Sequence, residues 1–196
     1  MPLGEHALLL VEKVREAPKD APLRVRGAST RLAASAPAGA VELLTTGMSR
    51  IIDWDRGNQT LTVETGISLH GLHRELEAQN FHLRLPKVGG TLGGLLATRP
   101  WPGIREDLLG MRLLLSNGDV VELGGKVVKN VAGYDLPRLV VGSWGAFGVI
   151  LDATFKLHAR PVDVPLSFPP VRPPAFGPWA LKVKSAFDPD GRFSLP

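Results

Sequence analysis

The chain has 196 residues, 44% hydrophobic and 21% charged, with a net charge of +4, the profile of an ordinary globular protein able to bury roughly 70% of its unfolded surface. It contains no cysteine, which excludes disulfides, thiolate metal sites, iron–sulfur ligation and cysteinyl attachment of a cofactor. Its 23 basic residues are scattered and not interleaved with aromatics, so nucleic acid is not an expected partner, and with neither a span of ~20 apolar residues nor a basic leader start the expected location is cytoplasmic.

Residues 8–17 place Leu8, Val11 and Val14 at helical spacing, with Glu12, Lys13, Arg15 and Glu16 outside, which predicts an amphipathic helix ended by Pro18. Short strands are expected at 23–26, 41–44 and 50–54, followed by a turn at 55–58. Residues 60–65 alternate Leu61 and Val63 with Thr60, Thr62 and Glu64, the pattern of a half-buried strand. Ser68 is the expected N-cap of a helix running to Gln79. Ile67 and Leu72 would form its hydrophobic staple, Leu69, Leu72 and Leu76 its buried stripe, and Asn80 its end. Residues 109–115 and 120–123 flank Asn117-Gly118 and predict a hairpin with a type I′ turn. A strand is expected at 149–157. Seven of the nineteen residues from 160 to 178 are proline, so an extended linker is expected there, then a short helix at 179–187. Strands and helices mix without regular βαβ alternation, which favours an α+β architecture.

Two glycine clusters, Gly89-Gly90-Thr91-Leu92-Gly93-Gly94 and Gly142-Ser143-Trp144-Gly145-Ala146-Phe147-Gly148, bracket the hairpin and the segment Lys129-Asn130-Val131-Ala132-Gly133-Tyr134-Asp135-Leu136. Glycines let backbone amides approach a ligand closely, and consecutive amides form a positive concavity suited to a pyrophosphate. The composition points to a nucleotide cradle, but two common versions fail. A P-loop ending at Gly125-Lys126 would need glycine at Val120 and Ser or Thr at Val127. A Rossmann fingerprint needs Gly-x-Gly-x-x-Gly opening a helix, whereas Gly142, Gly145 and Gly148 are evenly spaced and lead into a β-branched segment. His70 and His73 lack a third ligand of matching spacing, so no metal site is expected. Lys126 and Lys129 read as solvated strand-end lysines, and Tyr134 with Asp135 as structural hydrogen-bonding groups. Trp101 and Trp144 fit either a cofactor border or core packing.

Together with Arg105-Glu106-Asp107-Leu108-Leu109-Gly110 and Val149-Ile150, these segments resemble the FAD-binding domain of the vanillyl-alcohol oxidase / p-cresol methylhydroxylase superfamily. Within it the chain is similar to the FAD-binding E subunits of bacterial glycolate oxidases. The likeness covers residues 8–160 and resumes at the C-terminal helix, with Lys-Asn-Val-Ala-Gly-Tyr-Asp its most specific part. It implies a PCMH-type FAD-binding fold of two α/β subdomains over residues 1–160, with lobes at 1–86 and 87–160. A proline-rich linker at 161–178 and a closing helix and tail at 179–196 would follow. The implied cofactor is FAD. Arg26, Gly27, Ala28, Ser29 and Thr30 match a first pyrophosphate loop, and Gly89, Gly90, Thr91, Gly93, Gly94, Ala97 and Thr98 a second phosphate and flavin contact. Gly145, Gly148, Val149 and Ile150 match the stretch along flavin and adenosine, and Asp107 lies in a strand-entry turn nearby.

Departures from the family pattern shape what the resemblance implies. Ala28 and Ser29 replace two glycines of the first loop, each costing ~1–2 kcal/mol if its backbone is left-handed, so weakened FAD binding is expected. No histidine stands at Thr30 or beside it, which implies a non-covalent flavin. The connection Arg99-Pro100-Trp101 is short, and only the proline-rich linker stands where the family inserts a cap before a closing piece like residues 184–193. The cap supplies much of the substrate pocket and often the base, so no catalytic residue is assigned. The expected protein is an FAD-binding, accessory subunit of a glycolate-oxidase-like complex acting on a 2-hydroxy acid, beside a larger FAD-containing oxidase subunit and an iron–sulfur subunit. The alternative is a flavin-free scaffold subunit of such a complex.

Overall fold

A five-stranded antiparallel sheet organises the computed structural model, which describes residues 1–30, 37–99, 101–125, 135–164, 172, 173 and 175–194. Its strands are β3 (Ile51–Asp55), β4 (Thr60–Glu64), β5 (Leu108–Leu114), β6 (Val120–Gly124) and β7 (Val149–Lys156), in the order β3-β4-β7-β5-β6. Strands from both sides of residue 86 therefore share one sheet. A separate parallel pair joins β1 (Leu23–Arg26) to β2 (Val41–Leu44). The helices are α1 (Glu5–Glu16), α2 (Leu69–Glu77), α3 (Leu92–Thr98), α4 (Leu136–Val140) and α5 (Pro178–Phe187), with a 3₁₀ turn at Pro102–Arg105. The mixed architecture is the expected α+β class. Residues 165–171 and 174 of the proline-rich segment, and Lys126, Lys129 and Tyr134, lie outside the described residues. Asp135 caps α4, its carboxylate accepting from Arg138 N–H at 3.4 Å and pairing with the guanidinium at 2.8 Å.

The large sheet carries a core on each face. Leu61, Val63, Met111, Leu113, Ala153 and Phe155 pack with the stripe of α2 and with Leu92, Leu95 and Leu96 of α3. Leu114, Val149 and Leu151 instead face Ala7, Leu10, Val11 and Val14 of α1, together with Leu23 and Leu43. The register shift between Arg112↔Asp152 and Leu113↔Ile150 makes Leu151 the extra residue of a bulge. That bulge bends β7, and the two cores divide on either side of it.

Several expectations are corrected here. Helix α1 starts at Glu5, and its buried stripe runs through Ala7, Leu10, Val11 and Val14, leaving Leu8 exposed. Strand β4 is buried on both faces, because Thr62 shares a 2.9 Å hydroxyl bond with Thr154 and Glu64 accepts from Arg50 N–H at 2.9 Å. Ser68 does precede α2, but its side chain makes no capping bond, and the helix ends at Glu77. The hairpin turn is not type I′. Asn117 keeps a negative φ, only Gly118 is left-handed (φ 87°), and Gly118 N–H bonds Leu115 O while Leu115 N–H bonds Asp119 O. This three-residue loop, a type I turn closed by a glycine bulge, serves the strand twist equally well.

The closing segment is fastened by one buried carboxylate. Asp188, whose side chain is 0% exposed, accepts from Lys184 Nζ at 2.5 Å and from the N–H groups of Arg192 and Phe193 at 2.9 and 2.8 Å. Arg192 in turn donates to the carbonyls of Ser116 (2.6 Å) and Pro18 (3.1 Å), and Lys184 to Ala146 O at 3.2 Å. Burial alone would push the Asp188 carboxyl up, but the bonds from Lys184 and Phe193, with the Lys184 charge, hold it below its ordinary value. A depressed carboxyl stabilises the fold above its unfolded pKa of about 3.9 and loses that contribution as pH falls through the folded value. D188A is expected to cost about 3–5 kcal/mol, since it strands a buried cation and two amides, and urea midpoints measure it. Acid titration of D188N is expected to lack the part of the wild-type stability loss that falls below about pH 4.

Candidate functional site

The ends of three strands meet beside one short helix. β1 runs into Gly27, Ala28, Ser29 and Thr30; β2 runs into Thr45; β4 runs into Thr65; and all six residues line a single pocket of about 740 Å³, open solvent at its mouth included. The opposite wall is α3, which contributes Gly93, Gly94, Ala97 and Thr98, with its N-cap Thr91. The turn between α4 and β7 adds Ser143, Trp144, Gly145 and Gly148, and β7 adds Ile150. Of the residues singled out from the sequence, the pocket therefore gathers Gly27, Ala28, Ser29, Thr30, Thr91 and Gly93. It also gathers Gly94, Ala97, Thr98, Gly145, Gly148 and Ile150.

Five others do not line it. Arg26 is exposed and bridges Glu42 (3.2 Å) and Ser29 Oγ (3.1 Å), so it braces the loop from outside. Gly89 and Gly90 precede the wall, where Gly90 O accepts from Leu69 N–H at 3.1 Å. Val149 faces the core under α1. Asp107 sits in a separate charged cluster, accepting from Arg84 Nε at 3.0 Å and meeting His158 Nε2 at 2.6 Å. Sequence reasoning missed Val25, Thr45, Thr65 and Ser143 and left Trp144 undecided. The signal that could have found the two threonines is position, a small hydroxyl residue directly after a strand, where α/β sheets place ligands.

Helix α3 is locked by hydrogen bonds from both sides. Gly93 N–H bonds Thr65 O at 2.7 Å, and a Cβ on Gly93 would stand 3.2 Å from three atoms of Thr65. At the other end, Gly142 and Trp144 N–H groups bond Leu96 O (2.9 Å) and Ala97 O (3.0 Å), capping carbonyls that the helix leaves free. Gly142, Trp144 and Gly145 all have left-handed backbones (φ 88°, 56° and 82°), which lets the turn aim these amides. Across the pocket, a Cβ at Gly27 would come within 2.7 Å of Thr91 Oγ1, the atom that accepts from Gly94 N–H. A side chain at Gly27 would thus collide with the N-cap of α3.

Among the described residues, no acidic or basic side chain lines the pocket. Its polarity comes from hydroxyls and backbone. The N–H groups of Gly27, Ala28, Ser29, Thr91 and Gly145 find no acceptor among the described residues. Amides left over around a glycine-walled pocket form the positive concavity that an anionic group such as a diphosphate occupies. Residues of this kind fit FAD, whose two phosphates need donors but no countercharge. Ser29 holds a left-handed backbone (φ 55°), whereas Ala28 does not, so the expected strain falls on Ser29 alone. Among the described residues, no cluster of three or more His, Asp or Glu could hold a metal ion, and no helix is long and apolar enough to cross a membrane.

Comparison with known proteins agrees with this geometry. Residues 6–124 match the model of a family described as FAD binding domain. The chain is 33% identical over 153 residues to the glycolate oxidase subunit GlcD of Bacillus subtilis, covering 71% of this chain and 32% of that protein. It is 32% identical over 169 residues to the glycolate oxidase subunit GlcE of Escherichia coli, covering 80% and 48% respectively. The chain thus spans between a third and a half of these relatives. A solved alkyldihydroxyacetonephosphate synthase shares its fold with a TM-score of 0.62 at 22% identity, covering 79% of this chain and 30% of that one.

S29G removes the one non-glycine strain in the first loop and is expected to raise stability by up to about 1 kcal/mol in urea melts. With a family match spanning more than half its length, the chain belongs to the FAD binding domain family.

Proposed function

We propose that this chain is the FAD-binding, accessory subunit of a glycolate-oxidase-like complex that oxidises a 2-hydroxy acid. The observation that carries the proposal is the pocket's chemistry, with amides and hydroxyls for an anionic dinucleotide and, among the described residues, no titratable side chain beside them. Similarity to the two glycolate oxidase subunits supports the choice of complex. When bound, the flavin supplies two-electron redox chemistry.

The chain's own residues bind and orient. The loop at Gly27–Ser29 and the amides of Thr91 and Gly145 hold the diphosphate, and the glycine contacts between loop and α3 keep bulk out of that space. Ile150 and Val25 offer apolar wall, and Thr98 is tied back by its Oγ1 bond to Gly94 O at 2.8 Å. Among the described residues, nothing lining the pocket takes up a proton near neutral pH. Oxidation of a 2-hydroxy acid needs a base for the hydroxyl proton, so in this reading a larger oxidase subunit supplies the reacting centre and an iron–sulfur subunit carries electrons onward, in the cytoplasm. Among the described residues no histidine lines the pocket, which supports a dissociable flavin.

The freshly purified chain is expected to be yellow, to release intact FAD on denaturation, and to melt higher when FAD is added back to the stripped protein. G27A is expected to weaken FAD by at least about tenfold, because its new methyl enters the van der Waals space of Thr91. A colourless protein without an FAD-dependent melting shift, still co-purifying with a larger oxidase subunit, would overturn this reading in favour of a flavin-free scaffold.

A further inference from the structure

Among the described residues that line the pocket, Trp144 alone is aromatic. Its backbone is left-handed, a strained state for a bulky residue, while Gly142 and Gly145 beside it adopt the same hand freely. A glycine at this position would donate the same N–H bond to Ala97 O without strain, so the turn does not account for an indole. Packing does not account for it either. Trp54 and Trp101 lie against the main core, and Trp54 meets Phe81 edge to face at 5.6 Å. Trp144 is half-buried, outside both cores, and pairs with no ring among the described residues. A large flat side chain retained at a strained position on a pocket wall has the properties of a surface for a flat ligand group.

We propose that Trp144 is a stacking and specificity-determining residue, its indole lying against a ring of the bound dinucleotide so that the pocket favours a ring-bearing ligand over a bare diphosphate. The proposal rests on the FAD reading of the same pocket. Amides take the charge of the diphosphate and the indole takes the ring, so the two contributions are separable by ligand. Strain at residue 144 is separable from both, because glycine relieves it.

Calorimetric titration of FAD, ADP and inorganic pyrophosphate into the flavin-stripped wild type, W144F, W144L and W144G tests the inference. W144L and W144G are expected to lose roughly tenfold in FAD affinity, the usual cost of removing one aromatic stack, and W144F less than about threefold. Pyrophosphate affinity is expected to stay unchanged in all three. W144G is also expected to melt at or above the wild-type temperature, which separates the ring's role in binding from any role in folding. An ADP loss parallel to that for FAD assigns the indole to adenine, and an unchanged ADP affinity assigns it to the flavin ring. Wild-type FAD affinity in W144G, or an equal loss for pyrophosphate, overturns the proposal. A wild type that binds no FAD overturns the cofactor reading itself, and this inference with it.

Discussion

The pocket depends on how α3 is fastened. Seven residues that include Gly93 and Gly94 make a poor helix in isolation, since nucleation is unfavourable and each glycine costs about 1 kcal/mol relative to alanine. The helix exists because Thr65 O receives Gly93 N–H on one side while Leu96 O and Ala97 O receive the amides of Gly142 and Trp144 on the other. Buried Leu92, Leu95 and Leu96 hold its far face to the core. The same glycines that weaken the helix permit its close approach to β4 and to the first loop. Stability in this region is thus borrowed from tertiary contacts, and the binding wall is the result.

Among the described residues, charged side chains lie outside the pocket lining and several are paired elsewhere. Arg26 is engaged by Glu42, Asp107 by Arg84 and His158, and Arg112 by Asp152 at 2.6 Å. What remains at the pocket is dipoles, fixed by backbone geometry and paid for with left-handed turns. Fixed amides recognise an anion without a mobile cation that must be ordered on binding, and they leave the proton chemistry to other groups.

The C-terminal segment is part of the same construction. Lys184 donates to Ala146 O, inside the turn between α4 and β7, while Arg192 holds the end of α1 and the β5–β6 loop. Asp188 keeps both in place. Residues distant in sequence thereby stiffen the turn that presents Trp144 and Gly145.

Local pattern determined most of the elements. The alternation at 60–65, the Asn117-Gly118 pair and the stripe Leu69, Leu72 and Leu76 each reflect a period or turn preference that acts within a few residues, and the glycine clusters marked part of the pocket wall because tolerance for close approach is written in residue type. Tertiary structure alone decided the rest. Leu8 has the right spacing to be buried, yet α1 turns it outward; Thr60, Thr62 and Glu64 look solvent-facing until the sheet's second side is covered. Asp107 lies near the pocket in sequence but joins Arg84 and His158, and Thr45 and Thr65 reach the pocket only because β2 and β4 end beside it. A side chain's period is local, whereas its neighbours across a sheet come from anywhere in the chain.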